Sequence, residues 1–342
     1  MRRLNLILLI VAAAFLLWML NEIGWANVGR QFLDIGYYWP LLLLPYGLVS
    51  YLGAISWSYL LPTAATRPSL SRLFLLRLAG ESLNQLTPTA SMGGEPFKAV
   101  RLQAGGVPWE EAVASVVIQK GVGVLSLVLY IFLGLALAPL MLPGAASHLG
   151  FLSLGAVLLG GLGLTFVIVQ RQSPCVSAIR LLERFGLCPA SLKAKETECV
   201  QLDARLSQFY REHPRCALLS FFVFFLSWLI HSVEVYLFFW LVGHPISWAL
   251  AVSLDALAVL FAALGFMIPV SAGVQDGGTV LLSLGFNLGA TAGAAFSLAR
   301  RVREAFWLSL GLLVTARENV LPAVGASEYR ISNKEPQNVE GE

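Results

Sequence analysis

The stretch Thr87-Pro88-Thr89-Ala90-Ser91-Met92-Gly93-Gly94-Glu95 breaks an otherwise apolar, helix-forming region. Residues 69–86 before it are amphipathic and apolar enough to enter a membrane. A proline followed by small residues stops a helix. Inside a bilayer such a break is tolerated only where the backbone is buried in protein or lines a cavity. Further on, Ile268-Pro269-Val270-Ser271-Ala272-Gly273-Val274-Gln275-Asp276-Gly277-Gly278 has the same ingredients: a proline, small residues, and a Gly-Gly pair beside an acid. Paired interruptions of this kind point to a transporter binding site between two repeats. Free N–H groups at the start of a half-helix, backed by the helix dipole, attract anions. The plainer role of the glycines is close helix packing, and the sequence leaves both roles open.

The surroundings of these two breaks decide the class. Of 342 residues, 57% are hydrophobic and only 13% charged, and the mean hydropathy is +0.73. A soluble domain carries about 25% charged residues, so this chain cannot coat a water-soluble surface. Disorder is excluded by the same numbers. Apolar runs occupy residues 4–20, 39–61, 112–142, 149–169, 217–242, 248–268 and 290–315, with a weaker piece at 279–288. Most approach the roughly 20 residues of a bilayer-spanning helix. Arg2 and Arg3 precede the first run, and no small-residue cleavage site follows it; it reads as a helix rather than a removable signal. The expected fold is an all-α polytopic membrane protein, with about six full spans and two broken or re-entrant hairpins in an inverted repeat. One membrane domain, residues 1–316, is expected. Its parts are repeat one at about 1–170, an amphipathic cytoplasmic loop at 171–215 and repeat two at about 216–316, followed by a polar cytoplasmic tail, 317–342.

Basic residues orient the spans. Segment 62–111 carries Arg67, Arg72, Arg77, Lys98 and Arg101, and loop 171–215 carries eight Lys and Arg. Segment 22–38 has only Arg30, and 143–148 and 243–247 have none. The positive-inside rule puts both termini and the two basic segments in the cytoplasm. Parity then favours a re-entrant hairpin at 248–288, entering from outside; a full span at 248–268 is the competing arrangement.

Ionisable residues inside spans are rare and usually functional. This chain has Lys120, His231, Glu234, Asp255, Arg300, Arg301, Arg303 and Glu304 at such positions. At 100° per residue Arg300, Arg303 and Glu304 share a face, while Arg301 points elsewhere. Arg300 and Glu304 stand four apart and are expected to pair. The arginines either neutralise Glu234, Asp255 and Asp276 or bind an anionic group such as lipid phosphate, and one role does not exclude the other. Lys120 reads as a snorkelling interfacial lysine or an inward-facing one. His231 and Glu234 read as a proton relay or as simple interhelical bonds. The cysteines Cys175, Cys188, Cys199 and Cys216 form no CxxC pair and no zinc spacing. No P-loop, GxSxG elbow, HExxH or nucleotide fingerprint is present. No catalytic residue, metal, cofactor or nucleic-acid partner is expected.

Two stretches, Gly80-Glu81-Ser82-Leu83-Asn84-Gln85-Leu86-Thr87-Pro88 and Gly93-Gly94-Glu95-Pro96-Phe97-Lys98-Ala99-Val100-Arg101-Leu102, resemble the lysylphosphatidylglycerol synthase membrane-domain family, also called flippase-like proteins. Residues 269–277 resemble its later Pro/Gly segment, which more usually reads Pro-Gly-Gly-x-Gly-x-x-Glu. Ser271, Ala272 and Asp276 depart from that pattern, in the direction of a subgroup associated with hopanoid gene clusters. The resemblance covers about residues 5 to 320. It implies a bacterial inner-membrane protein that moves, or helps to make, anionic or other amphiphilic lipids. The family's best-known members add a soluble aminoacyltransferase, which is not expected in this chain. By motif, Asn84, Pro88, Gly93, Gly94 and Glu95 would hold a lipid headgroup. Lys98 and Arg101 would guide its phosphate, and Asp276 and Arg300 would line the site from the other repeat. His231, Glu234, Asp255, Arg303 and Glu304 would form relay or structural ion pairs. The implied function is an ATP-independent lipid translocator for a phospholipid or hopanoid. The alternatives are an accessory subunit of a lipid-modifying enzyme partner, or a membrane-embedded transferase.

Overall fold

The computed structural model describes residues 35–62, 67–86, 93–141, 196–264 and 273–320, with scattered single positions outside them. The expected span at 4–20, most of that at 149–169, Pro88 and the tail beyond 320 lie outside the described residues. Among the described residues the regular elements are all helices. They are α1 (Gly36–Ser58), α2 (Leu70–Leu86), α3 (Glu95–Ala104), α4 (Trp109–Met141), α5 (Glu196–Glu212), α6 (Pro214–Leu241), α7 (Trp248–Leu264), α8 (Val274–Gly285) and α9 (Ala290–Val320). The first eight residues of α1, around Pro40, are wound as a tighter 3-10 helix. This is an all-α membrane protein.

Three of the described helices, α1, α4 and α6, are long and apolar enough to cross a membrane. Helix α9 has 31 residues but carries charges at its centre. The arms of the two hairpins are shorter. Helices α2 and α7 each have 17 residues, α3 has 10 and α8 has 12. At about 1.5 Å per residue, the 17 described residues of α2 or of α7 reach about 25 Å, beside a hydrocarbon core of about 30 Å.

Local chemistry explains where the hairpins break. Helix α2 is described to Leu86, and Thr87-Pro88 follows it in the sequence, where the residue preceding a proline is disfavoured in the helical region. Helix α3 restarts at Glu95 with Pro96 in its first turn, where a missing N–H costs nothing. The Gly94 N–H donates to Asn84 Oδ1 at 2.7 Å, and Asn84 Nδ2 donates to Glu95 Oε1 at 3.0 Å. One carboxamide therefore holds both sides of the break. Helix α8 starts after Gly273, at φ 80°, whose N–H donates to Asp276 Oδ2 at 2.9 Å.

Each hairpin is clamped between the same two long helices. Helix α2 lies on α9 and α3 on α4; α7 lies on α4 and α8 on α9. Helices α1 and α6 pack on each other, joined where Ser56 Oγ donates to the Ser220 carbonyl at 2.9 Å. Helix α1 also meets α2, and α6 meets α7. One apolar core gathers Trp57, Leu73, Leu76, Ile118 and Phe224; another gathers Phe238, Phe239, Leu254, Leu257 and Phe296.

The two arms of the first hairpin approach at backbone distance. A side chain on Gly94 would run into the Gly80 carbonyl. We predict that Gly94→Ala lowers stability by about 1–3 kcal/mol, the usual cost of overpacking a tight core. Gly285→Ala, which meets nothing within 4 Å, serves as the control. Thermal unfolding in detergent should show a lower midpoint for the first and not for the second.

Candidate functional site

Helices α1, α2, α3, α4 and α6 enclose a cavity of about 310 Å³. Its charged lining is Arg77 and Glu81 from α2, Glu95 and Lys98 from α3, and Lys120 from α4, with His231 from α6. Tyr46, Gln85, Gln119, Phe224 and Trp228 complete much of the wall. Glu95 lies at the centre of the polar contacts. Its Oε2 is 2.9 Å from Lys98 Nζ and its Oε1 is 3.6 Å from Lys120 Nζ. Lys98 Nζ also approaches Glu81 Oε1 at 3.8 Å, and the Lys98 side chain is only 2% exposed. Arg77 is buried, with its guanidinium carbon 5.0 Å from the centre of the Phe224 ring, and its Nε has no hydrogen-bond partner.

The lining thus holds three cations, Arg77, Lys98 and Lys120, against two carboxylates, Glu81 and Glu95. An uncompensated charge in a low-dielectric interior costs several kcal/mol even after relaxation. An anion entering the cavity would offset that cost. Guanidinium and ammonium groups facing one space suit phosphate, the first by its fork and the second as a point charge.

Further ion pairs lie beyond the cavity wall in two sets, one of which includes His231. Asp255 is fully buried and receives three groups. Arg300 Nη2 donates to Oδ1 at 2.9 Å, while Tyr130 Oη and His231 Nδ1 each reach Oδ2 at 2.7 Å. Arg301 binds Asp276 through two nitrogens, at 2.7 and 3.1 Å. Arg303 Nε is 3.1 Å from Glu234 Oε1, and its guanidinium carbon sits 4.6 Å from the centre of the Tyr46 ring. Glu304 joins Arg301 at 2.6 Å and Arg303 at 3.7 Å.

The structure brings Asn84, Gly94, Glu95 and Lys98 together, with Gly93 in the turn beside them. Arg101 stands in the last turn of α3 over the Phe97 ring, away from the cavity wall. Asp276 and Arg300 belong to these further sets and are not among the lining residues. The expected Arg300–Glu304 pair does not form: Asp255, presented by α7, takes Arg300, and Glu304 is held by Arg301 and Arg303. Each of the three arginines meets a different carboxylate on a different helix. Lys120 turns inward to Glu95 rather than outward to an interface. His231 and Glu234, one turn apart, reach different partners.

Sequence reasoning did not single out Arg77, Glu81, Tyr46, Tyr130 or Trp228. Arg77 and Glu81 carried a signal, the i, i+4 spacing on one helix face. A second signal is a repeated interval. Asp276 at the start of α8 pairs with Arg301, 25 residues on. Glu95 at the start of α3 pairs with Lys120 at the same interval.

Fold and site define a multi-pass membrane protein with a polar cavity inside its helix bundle. The chain belongs to the lysylphosphatidylglycerol synthase TM region family, whose model matches residues 5–311. It is 22% identical over 306 residues to the UPF0104 membrane protein MJ1595 of Methanocaldococcus jannaschii, across 86% of this chain and 89% of that protein. No solved structure matches the chain.

Arg300 is 1% exposed and Asp255 is the acid it meets. Removing one member of a buried pair typically costs about 3–5 kcal/mol, whereas apolar replacement of both is close to neutral. Asp255→Ala should therefore lower the unfolding midpoint sharply, and Asp255→Leu combined with Arg300→Met should recover much of it.

Proposed function

We propose that this protein is a lipid translocator that works without ATP hydrolysis and takes an anionic headgroup into the cavity beside Glu95. The observation that carries this reading is the surplus cation in a space enclosed by apolar helices. A headgroup crossing a bilayer needs a polar path, and the cavity wall supplies one on α2, α3, α4 and α6. Asn84, Gly93, Gly94, Glu95 and Lys98 form the headgroup end of the site together with Arg77 and Lys120. Arg101 guides phosphate toward it. Asp276 and Arg300 act from behind, through the ion pairs beyond the cavity wall.

The two halves of the chain are read as an inverted repeat: α1 to α4 against α6 to α9. Three observations support this. Each hairpin puts one arm on α4 and the other on α9, in opposite order. The carboxylate-to-cation interval is the same in both halves. Gly134 of α4 meets α7 at Ala256 and Val252, as Gly311 of α9 meets α2 at Ser82 and Leu78. Alternating access in such folds moves one repeat against the other around a shared site. On this reading the protein lies in the bacterial inner membrane with both termini cytoplasmic, an orientation that the basic segments support.

The test uses purified protein in liposomes containing fluorescent phosphatidylglycerol or an anionic hopanoid-like probe. Dithionite quenching reports the fraction of probe reaching the outer leaflet. Protein-containing vesicles should lose protected signal faster than empty ones, and Lys120→Ala should slow this about tenfold, the effect of roughly 1.4 kcal/mol. The choice between probes identifies the lipid body. Equal rates with wild type, Lys120→Ala and no protein, in a folded sample, would overturn the translocator reading and favour an accessory subunit.

A further inference from the structure

We propose that an anion entering the cavity is accompanied by one proton, taken up on His231. The inference rests on the headgroup-site reading above and adds what else must move with the headgroup. This histidine stands between the cavity charges and the enclosed Asp255–Arg300 pair. On the cavity side, Arg77, Lys98 and Lys120 outnumber Glu81 and Glu95 by one. Behind His231, Asp255 and Arg300 balance each other, while a separate set of described ion pairs on α6, α8 and α9 is short by one positive charge. In that set Glu234, Asp276 and Glu304 stand against Arg301 and Arg303. With His231 neutral, these groups sum to zero. An anion added to the cavity leaves them one unit negative. A proton on His231 restores their balance at the cavity wall.

The geometry suits this task. His231 lines the cavity, and its Nδ1 is 2.7 Å from Asp255 Oδ2. Asp255 accepts from Arg300 and Tyr130, so it acts as an ionised acceptor and the Nδ1 position carries the hydrogen. Nε2 is then the nitrogen that binds the incoming proton. The resulting imidazolium keeps its donor bond to Asp255. The groups around it come from every neighbouring element. Tyr46 stands on α1, Arg77 and Glu81 on α2, Glu95 and Lys98 on α3, and Lys120 and Tyr130 on α4. Asp255 on α7 is backed by Arg300 of α9. On α6 itself Glu234 is one turn away and bound to Arg303. An anion bound in the cavity attracts the imidazolium and so favours the protonated form. By linkage, lower pH then favours the loaded form, and loading raises the proton affinity of the site.

Isothermal titration calorimetry tests this on the full-length protein in neutral detergent, near pH 7. The probe is dihexanoyl-phosphatidylglycerol, whose phosphodiester does not titrate in this range; dihexanoyl-glycerol is the uncharged control. Titrations in buffers of different ionisation enthalpy give the number of protons taken up per probe bound. Wild type should take up a substantial fraction of one proton, and its affinity should fall up to tenfold per pH unit on the alkaline side. His231→Gln should abolish proton uptake. His231→Lys, which fixes a positive charge at the same place, should bind the probe with no proton uptake, and this keeps the test decisive where the glutamine variant is too weak or unfolded. Binding by wild type with no dependence on buffer, or uptake that persists in His231→Lys, would overturn the proton inference and leave the headgroup site standing. No binding of the charged probe by folded wild type would overturn both.

Discussion

A helix that breaks within an apolar bundle leaves carbonyls at the end of one piece and N–H groups at the start of the next without helical partners, and this constraint governs the rest of the structure. Both hairpins meet it with side chains placed around the break. In the first, Asn84 accepts the Gly94 N–H and donates to Glu95. In the second, Asp276 reaches back to the Gly273 N–H. Each solution places a carboxylate at the start of a short helix, where the dipole favours it. Each carboxylate then needs a cation, supplied by Lys120 or Arg301 from the long helix that follows. Thus the polar interior grows outward from two broken helix ends.

The interior charges do structural and chemical work in different places. Around Asp255, Glu234 and Asp276 the arginines are enclosed, each held by a carboxylate from another helix. Such pairs fix the register of α9 against α6, α7 and α8. Around Glu95 the charges face open volume, and the cations exceed the acids. The first arrangement resists change, whereas the second invites a ligand. His231 touches both, which gives the cavity a connection to the enclosed pairs.

Much of this was legible in the residues, and for definite reasons. Proline with small residues marks a helix end by local sterics, so the breaks near Pro88 and Pro269 were readable, and α2 and α8 end and begin beside them. Long apolar runs follow from the medium, so α1, α4 and α6 appear near their expected places. The partners of buried charges were a different matter. Spacing along one helix suggested Arg300 with Glu304, but α7 brings Asp255 closer, and nothing in the linear sequence encodes that approach. Arg77 was counted among the orienting charges of a cytoplasmic segment, yet it is buried against Phe224. A basic residue near a re-entrant hairpin carries the same letter whether it faces water or protein. Asn84, Glu95 and Lys98 were identified through the motif they form, and the hydrogen bonds give that motif its physical sense.

The clamping of both hairpins by α4 and α9 has a mechanical consequence. Helix α9 bears on α2 and α8, and α4 bears on α3 and α7. The hairpins are therefore bars of a four-sided linkage whose uprights are shared. Sliding one upright along its axis drags an arm of each hairpin, so the first pair of arms cannot shift without the second. A frame of this kind couples its two ends through its members.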